Sequence, residues 1–296
     1  MGRDDFEKKA TYDFRLAYSV FNRGPSELKS VKISLLRLPS YEPYTRAEIK
    51  SITPDYTVEE NSFKCETINF HTLSIPPKQT VNLTLHYTVE VTPQKFNVDP
   101  NKVGEYNRRD INYIKYMRES PQIESKHPEI RAAAQRAAAG EENPYRRALN
   151  IFRFVGKHVN YKKMPTRGAL YALKTGEGDC AEFSRLFVAL CRASGIPARL
   201  IRGYSHYDPQ KNRKKPDAER HAWAEFLIPN YGWLPADPTW GRHEGRYFAE
   251  MDNDHIVSFV EGKYTLNAAG LDIIWAAGSG DPNQLDAVET ISINPI

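Results

Sequence analysis

The sequence predicts an α+β chain: an all-β segment, then a helix packed on an antiparallel sheet. Three observations carry this. Period-two alternation dominates the first hundred residues, helical periodicity takes over between about residues 127 and 195, and strand patterning returns after Pro197. At 296 residues the chain is long for one domain. The change of pattern sets the expected boundary, with residues 1–98 as the β part and residues 99–296 as a second domain with a helical beginning.

In the β part, Tyr12, Phe14, Leu16, Tyr18 and Val20 alternate with polar or small residues, as do Val31, Ile33 and Leu35. Val81, Leu83, Leu85, Tyr87, Val89 and Val91 repeat the pattern against Asn82, Thr84, His86, Thr88 and Glu90. Such alternation puts one face on a core and one in water. Turn residues separate the runs at Asn22-Arg23-Gly24-Pro25-Ser26 and Ile75-Pro76-Pro77-Lys78. Evenly spaced antiparallel strands without helices predict an immunoglobulin-like β-sandwich. Its cysteine–tryptophan–cysteine hallmark is absent, so the subtype stays open.

A polar connection with several tyrosines follows, over residues 92–125. His127-Pro128-Glu129 then opens an alanine-rich helix ending near Gly140, and Asn143-Pro144 is a cap and first-turn pair for the next. Ala148, Ile151, Phe152, Val155 and Val159 form its apolar stripe. In the third helix Phe183, Leu186, Phe187 and Leu190 fall on one face, and Gly195 and Pro197 end it. Gly176-Glu177-Gly178-Asp179 supplies the turn before it, so Asp179 is expected to cap the helix and Cys180 to sit in its first turn. The partial positive charge there favours a thiolate. Glu182 is assigned to the helix dipole or a salt bridge.

Strand residues return at Ala198, Leu200, Ile201 and Gly203-Tyr204. A polar loop over Ser205–Arg220, carrying Lys211, Arg213, Lys214 and Lys215, is expected to rim a cleft. His221-Ala222-Trp223-Ala224-Glu225-Phe226 reads as a strand, Asn230-Tyr231-Gly232 as a turn, and Trp233-Leu234-Pro235-Ala236-Asp237 as its partner strand. The rest of the chain is expected to complete this sheet.

The net charge of +4, spread along the chain, gives no basis for a nucleic-acid partner, and no apolar run reaches the roughly 18 residues of a membrane span. The first residues lack the apolar stretch of a signal peptide. A cytoplasmic location follows by default, or export with the signal already removed. Three cysteines make no disulfide framework; Cys65 and Cys191 are read as inert. No calcium-loop or zinc spacing occurs, so no metal and no cofactor is expected.

Cys180 on a helix start, His221 opening a strand and Asp237 ending the next form the layout of a thiol nucleophile, its base and the carboxylate that orients the base. His221 and Asp237 are expected to face each other across the ladder closed at Asn230-Tyr231-Gly232. Tyr161 is a candidate oxyanion donor beside the Cys180 amide, with a packed aromatic as the other reading. Trp223 and Trp233 are candidates for lining the cleft, or for core.

Gly178-Asp179-Cys180, Arg192-Ala193-Ser194-Gly195-Ile196-Pro197-Ala198-Arg199, Gly203-Tyr204, His221-Ala222-Trp223 and Gly232-Trp233 with Asp237-Pro238 together resemble the transglutaminase-like superfamily. The resemblance covers roughly residues 125–260. It implies a papain-like core, a cysteine–histidine–aspartate triad at Cys180, His221 and Asp237, and a protein or peptide substrate. Acyl transfer or hydrolysis at peptide or glutamine amides would proceed through a thioester, in a peptidase, an amidase or a crosslinking enzyme. The alternative is a catalytically silent member acting as a binding or scaffolding module. Neither paired carboxylates nor a basic–aromatic stripe supports a polysaccharide or nucleic-acid enzyme.

Overall fold

The computed structural model of the chain describes residues 8–208, 213–244, 246–264 and 273–296. The fold is α+β, and among the described residues its sheets are antiparallel apart from one two-stranded parallel pair.

Among the described residues, the first third of the chain forms six of the eight strands of a sandwich. They are β1 (Ala10–Asn22), β2 (Leu28–Leu36), β3 (Thr45–Thr53), β4 (Thr57–Glu60), β5 (Glu66–Ile75) and β6 (Thr80–Val91). The remaining two come from the far end of the chain: β15 (Ile273–Ala276) and β16 (Leu285–Pro295). One sheet runs β16-β1-β6-β3 and the other β15-β2-β5-β4. The alternating residues of β1 and β6 point inward with Val31, Ile33 and Leu35 of β2 and Ile68 and Phe70 of β5, in one apolar cluster. Each such side chain contributes about 1.5–3 kcal/mol on burial. Asn22, fully buried, holds the predicted first turn, donating from Nδ2 to the Ser26 and Ile75 carbonyls and accepting from the Gly24 amide.

The C-terminal strands therefore depart from the expectation that they complete the sheet behind Cys180. β16 pairs with β1 along its whole length, from Tyr12 opposite Pro295 to Asn22 opposite Leu285. β15 pairs with β2. Each covers a sandwich edge that would otherwise present unpaired amides.

The middle of the chain crosses over through β7 (Gln94–Lys95) and the short helix α1 (Ile111–Tyr116) into helices α2 (Pro128–Ala138) and α3 (Pro144–His158). As expected, Asn143 caps α3, its Oδ1 accepting from the Tyr145 and Arg146 amides. Strand β8 (Asn160–Tyr161) pairs in parallel with β9 (Glu177–Gly178), with α4 (Ala169–Thr175) between them. Helix α5 (Cys180–Ala193) follows at once. Most of it is buried: Val188, Ala189 and Cys191 are as enclosed as the predicted face of Phe183, Leu186, Phe187 and Leu190, while Cys180, Ala181, Arg185 and Ala193 stay partly open. An apolar helix of this kind belongs at the centre of a core.

Helix α5 packs on β10 (Ala198–Asp208) and β11 (Arg213–Ile228), which lie in a sheet with β12 (Gly232–Ala236) and β14 (Ile256–Val260), ordered β12-β11-β10-β14. The expected polar loop between Ser205 and Arg220 is largely absent. β10 continues to Asp208 and β11 begins at Arg213, with Asp208 opposite Arg213. Lys211 lies outside the described residues. The short helix α6 (Gly241–Glu244) and strand β13 (Glu250–Met251), which pairs with β7, lead into β14.

The sandwich and this core share a packed boundary. Tyr204 and Ile256 belong to the sandwich cluster, and the rings of Phe14 and Tyr204 lie 5.1 Å apart. A buried trio crosses the boundary. Arg199 donates from Nε to Glu225 at 2.8 Å and from Nη2 to the Tyr41 hydroxyl at 2.6 Å, and that hydroxyl reaches Glu225 at 2.8 Å.

Candidate functional site

The start of α5 is fixed by reciprocal hydrogen bonds. Asp179 Oδ1 accepts from the Ala181 amide at 2.8 Å, and Glu182 Oε2 accepts from the Asp179 amide at 3.3 Å. This is a capping box. The other Glu182 oxygen accepts from the amides of Arg167 and Gly168, at 2.8 and 3.2 Å. Glu182, fully buried, thus ties the α5 N-terminus to the segment before α4. Asp179 caps the helix as expected, whereas Glu182, expected to serve the helix dipole or a salt bridge, accepts from backbone amides. Burial, with Glu182 beside it, pushes the Asp179 carboxyl up to about 6.

Cys180 is half-buried at this helix start. Cys191, three turns on, is completely enclosed, and burial raises its thiol pKa well above the ordinary value. Cys65 is buried, with its sulfur donating to the Lys263 carbonyl at 3.0 Å. Ser184 links the first turn of α5 to β11: its hydroxyl lies 2.7 Å from the Cys180 carbonyl and 2.9 Å from that of Ala222, the residue after His221. The turn bearing the thiol and the strand bearing the imidazole are thereby held side by side.

His221 Nε2 lies 2.7 Å from Asp237 Oδ2 in a site closed to solvent. The two are not direct ladder partners. The register pairs Ala224 with Ala236, so Asp237 lies diagonally from His221, just beyond the end of β12. Asp237 Oδ1 accepts from the amides of Thr239 and Trp240 at 2.8 and 3.1 Å. Burial by itself would raise the Asp237 pKa, but the imidazoles of His221 and His255 hold it well below the usual carboxylate range.

A second histidine meets the same carboxylate. His255, one residue before β14, places Nε2 3.3 Å from Asp237 Oδ2 and Nδ1 2.6 Å from Asp252 Oδ1. Burial opposes its charging, yet Asp252 and Asp237 raise its pKa to about 10. The ligand-type atoms of His221, Asp237 and His255 fall within 4.8 Å of one another, the spacing of a possible metal site. Each of them is already engaged in a hydrogen bond within the group, which forms a polar network.

Aromatic rings wall this network. Trp240 stacks on His221 at 4.7 Å between centroids, and Trp223 lies 6.0 Å from it. Trp223 is thus beside the site, though only 2% exposed. Trp233 sits elsewhere, 3.9 Å over the Arg199 guanidinium and 4.9 Å from the Tyr116 ring, at the boundary with the sandwich. Tyr161 pairs with Gly178, two residues before Cys180. Burial, with Cys180 and Asp179 nearby, pushes its hydroxyl up to about 12. The residue remains 47% exposed, and its ring faces the Arg242 guanidinium at 5.4 Å.

Comparison with known proteins now bears on the site. The profile of the transglutaminase-like superfamily matches residues 131–238, the span from α2 to just past Asp237. Residues 131–238 are a transglutaminase-like domain. A solved structure from Cytophaga hutchinsonii, described provisionally as a cysteine protease, is similar over 97% of this chain and 92% of its own, with a TM-score of 0.64 at 17% identity. At that identity it speaks for the fold. An uncharacterised protein of Mycobacterium tuberculosis is 32% identical over 126 residues, 38% of this chain and 40% of that protein. A protein-glutamine gamma-glutamyltransferase of Pseudomonas aeruginosa is 36% identical over 73 residues, 24% of this chain and 11% of its own. The chain spans less than half the length of these curated relatives.

Sequence reasoning missed Trp240, Tyr247, Asp252 and His255. All four lie beyond the transglutaminase-like domain. A signal was present in Asp252-Asn253-Asp254-His255, where one imidazole sits among carboxylates ahead of an apolar strand. Reading it required knowing that β14 joins the sheet beside β10, which local pattern does not reveal.

Proposed function

We propose that the chain is a thiol-dependent acyl-transfer enzyme acting on peptide or glutamine amides, with Cys180 as nucleophile, His221 as base and Asp237 as its orienting carboxylate. The observation that carries this is the His221–Asp237 bond, 2.7 Å long and shielded from water, on the strand that Ser184 ties to the Cys180 turn. Because Nε2 is committed to Asp237, Nδ1 is the nitrogen that takes the thiol proton.

In the first step sulfur bonds to the amide carbonyl carbon and its proton passes to His221. The oxyanion is met by the Cys180 amide and the Tyr161 hydroxyl. The imidazolium then returns the proton to the leaving nitrogen, expelling ammonia or an amine and leaving a thioester. Water or an acceptor amine, deprotonated by His221, attacks the thioester and restores the thiol. Hydrolysis and crosslinking differ only in that acceptor. The transglutaminase-like domain and the half-buried position of Cys180 support the reading. In it, the expected boundary near residue 98 separates a supporting immunoglobulin-like sandwich from the acyl-transfer part, and the last strands return to the sandwich.

The test is mass spectrometry of a mixed peptide pool incubated with and without an added amine, using wild type and Cys180→Ala. Cleavage, deamidation or isopeptide products that vanish in Cys180→Ala support the proposal and identify the reaction. An unchanged pool, together with iodoacetamide labelling no faster at Cys180 than at an ordinary thiol, would leave a binding or scaffolding module.

A further inference from the structure

The acyl-transfer reading uses one histidine, and the site buries two. His255 is nearly inaccessible, and both its ring nitrogens face carboxylate oxygens. A carboxylate only accepts hydrogen bonds. A ring that bonds to one on each side therefore carries both protons and a positive charge. Other contacts keep it in place. Trp240 packs against it at 4.6 Å and Trp223 edge-on at 5.0 Å. Asp252 is itself held, its Oδ2 accepting from the Tyr247 hydroxyl at 2.8 Å and its Oδ1 from the Asp254 amide at 3.0 Å. Gly203, opposite His221 in the ladder, makes the approach of β14 possible: a Cβ there would stand 1.9 Å from the Ile256 carbonyl oxygen and 2.7 Å from the Trp223 ring.

We propose that His255 is a positioning residue of this site. It is a buried imidazolium clamped between Asp252 and Asp237 that fixes the Asp237 carboxylate toward His221 and sets how tightly His221 holds its proton. The claim that it serves a working triad rests on the function proposed above.

The charge count gives the consequence. Asp252, His255 and Asp237 together present a single negative charge to His221, as a lone aspartate would, but through a carboxylate gripped from two sides. The other titratable groups around them are Tyr247, whose ring lies 5.8 Å from His255, and beyond the carboxylates Asp254, Tyr12 and Arg246. His255→Gln keeps a donor for Asp237 and removes the positive charge, so His221 faces two negatives. Asp252→Asn with His255→Gln restores a single negative.

The experiment is an NMR titration of the His221 ring in full-length protein, in a Cys180→Ala background that removes coupling to the thiol. The two rings are 5.4 Å apart. A full charge at that distance moves a titration by roughly one to two units. His255→Gln should raise the His221 midpoint by that amount, and the double variant should return it close to the parent value. An unmoved midpoint in His255→Gln, or an equal displacement in the double variant, overturns the proposal. Nitrogen shifts of the wild-type protein need no variant: His255 should keep both ring protons at about pH 8, above the ordinary histidine range. A neutral ring there overturns it too. Iodoacetamide rates at Cys180 in wild type and His221→Ala keep the two readings apart. Alkylation indifferent to His221 sinks the triad and leaves the clamp; a His221 titration indifferent to His255 does the reverse.

Discussion

Glu182 should be the residue whose loss most damages the thiol's platform without touching the thiol. Its carboxylate accepts from three backbone amides, those of Arg167, Gly168 and Asp179, and its side chain is closed to solvent. Gly178 makes room for it, since a Cβ there would stand 2.2 Å from that of Glu182. Replacing Glu182 by Ala strands three donors. Each costs about 1–3 kcal/mol if it stays dry. Two of the three bonds exceed 3.1 Å, and the Arg167 and Asp179 amides lie in partly open residues, so water recovers part of the loss. The expected destabilisation is about 3 kcal/mol, and about 1–2 kcal/mol for Glu182→Gln, which keeps one acceptor. Urea unfolding measures both, and amide exchange at Arg167 and Gly168 should accelerate while the fold persists. A Glu182→Ala protein within about 0.5 kcal/mol of wild type, the ordinary range for a surface change, would refute the claim that this carboxylate holds the helix start.

Three further outcomes follow from the same network. Asp179→Asn keeps a good cap and removes a carboxylate whose pKa is pushed up to about 6 beside the sulfur. Below pH 3.8 stability should change little, the loss of stability as wild type rises from pH 3.8 through about 6 should disappear, and iodoacetamide should react with Cys180 several-fold faster near neutral pH. Gly203→Ala should cost more than 2 kcal/mol in urea unfolding, because the nearest obstacle to the new Cβ is backbone, at Ile256; a near-neutral result would mean that β14 can shift away. His255 holds its proton up to about pH 10 against an ordinary value of 6.5. Its contribution is therefore complete below pH 6.5 and is lost as pH rises through 10. Asp237, held low, acts oppositely, with a contribution present above the ordinary carboxylate value of 3.8 and lost as pH falls below it. These two groups by themselves place the greatest stability between these limbs, and the alkaline loss should shrink in the Asp252→Asn, His255→Gln double variant.

What the sequence disclosed and what it hid divide along a physical line. Alternation in β1 and β6, the Asn143 cap, the glycine turn before Cys180 and the apolar face of α5 are local, decided by residues within a few positions of one another. The same holds for His221 and Asp237, joined by a tight turn, although the ladder offset that makes them diagonal could not be counted from the turn alone. The hidden features all need distant partners. β16 is half exposed and alternates weakly, and nothing in its own residues names β1 as its neighbour. The polar composition of 205–220 is one that strands share with loops, and the pairing of Tyr207 with Lys214 and of Asp208 with Arg213 cannot be read from it. Trp233 precedes Asp237 closely in sequence, but it stands at the other end of β12, under the Arg199 guanidinium.

The sandwich has a part in the site that its position in the chain conceals. Tyr12 on β1 is 3% exposed and donates its hydroxyl hydrogen to the Asn253 carbonyl at 3.1 Å. Asn253 Nδ2 in turn donates to the Lys8 carbonyl at 2.8 Å. The segment bearing Asp252 and His255 therefore rests on the first strand of the chain, two residues from the imidazole. A sandwich that served only as a tether would leave that imidazole indifferent to β1. Tyr12→Phe tests this with one atom. It should cost about 1–2 kcal/mol through a buried carbonyl left without its donor, and it should shift the His255 ring signals although the substitution lies outside the site. Lost stability with unmoved His255 signals would mean that the sandwich holds the chain together and has no hand in the chemistry.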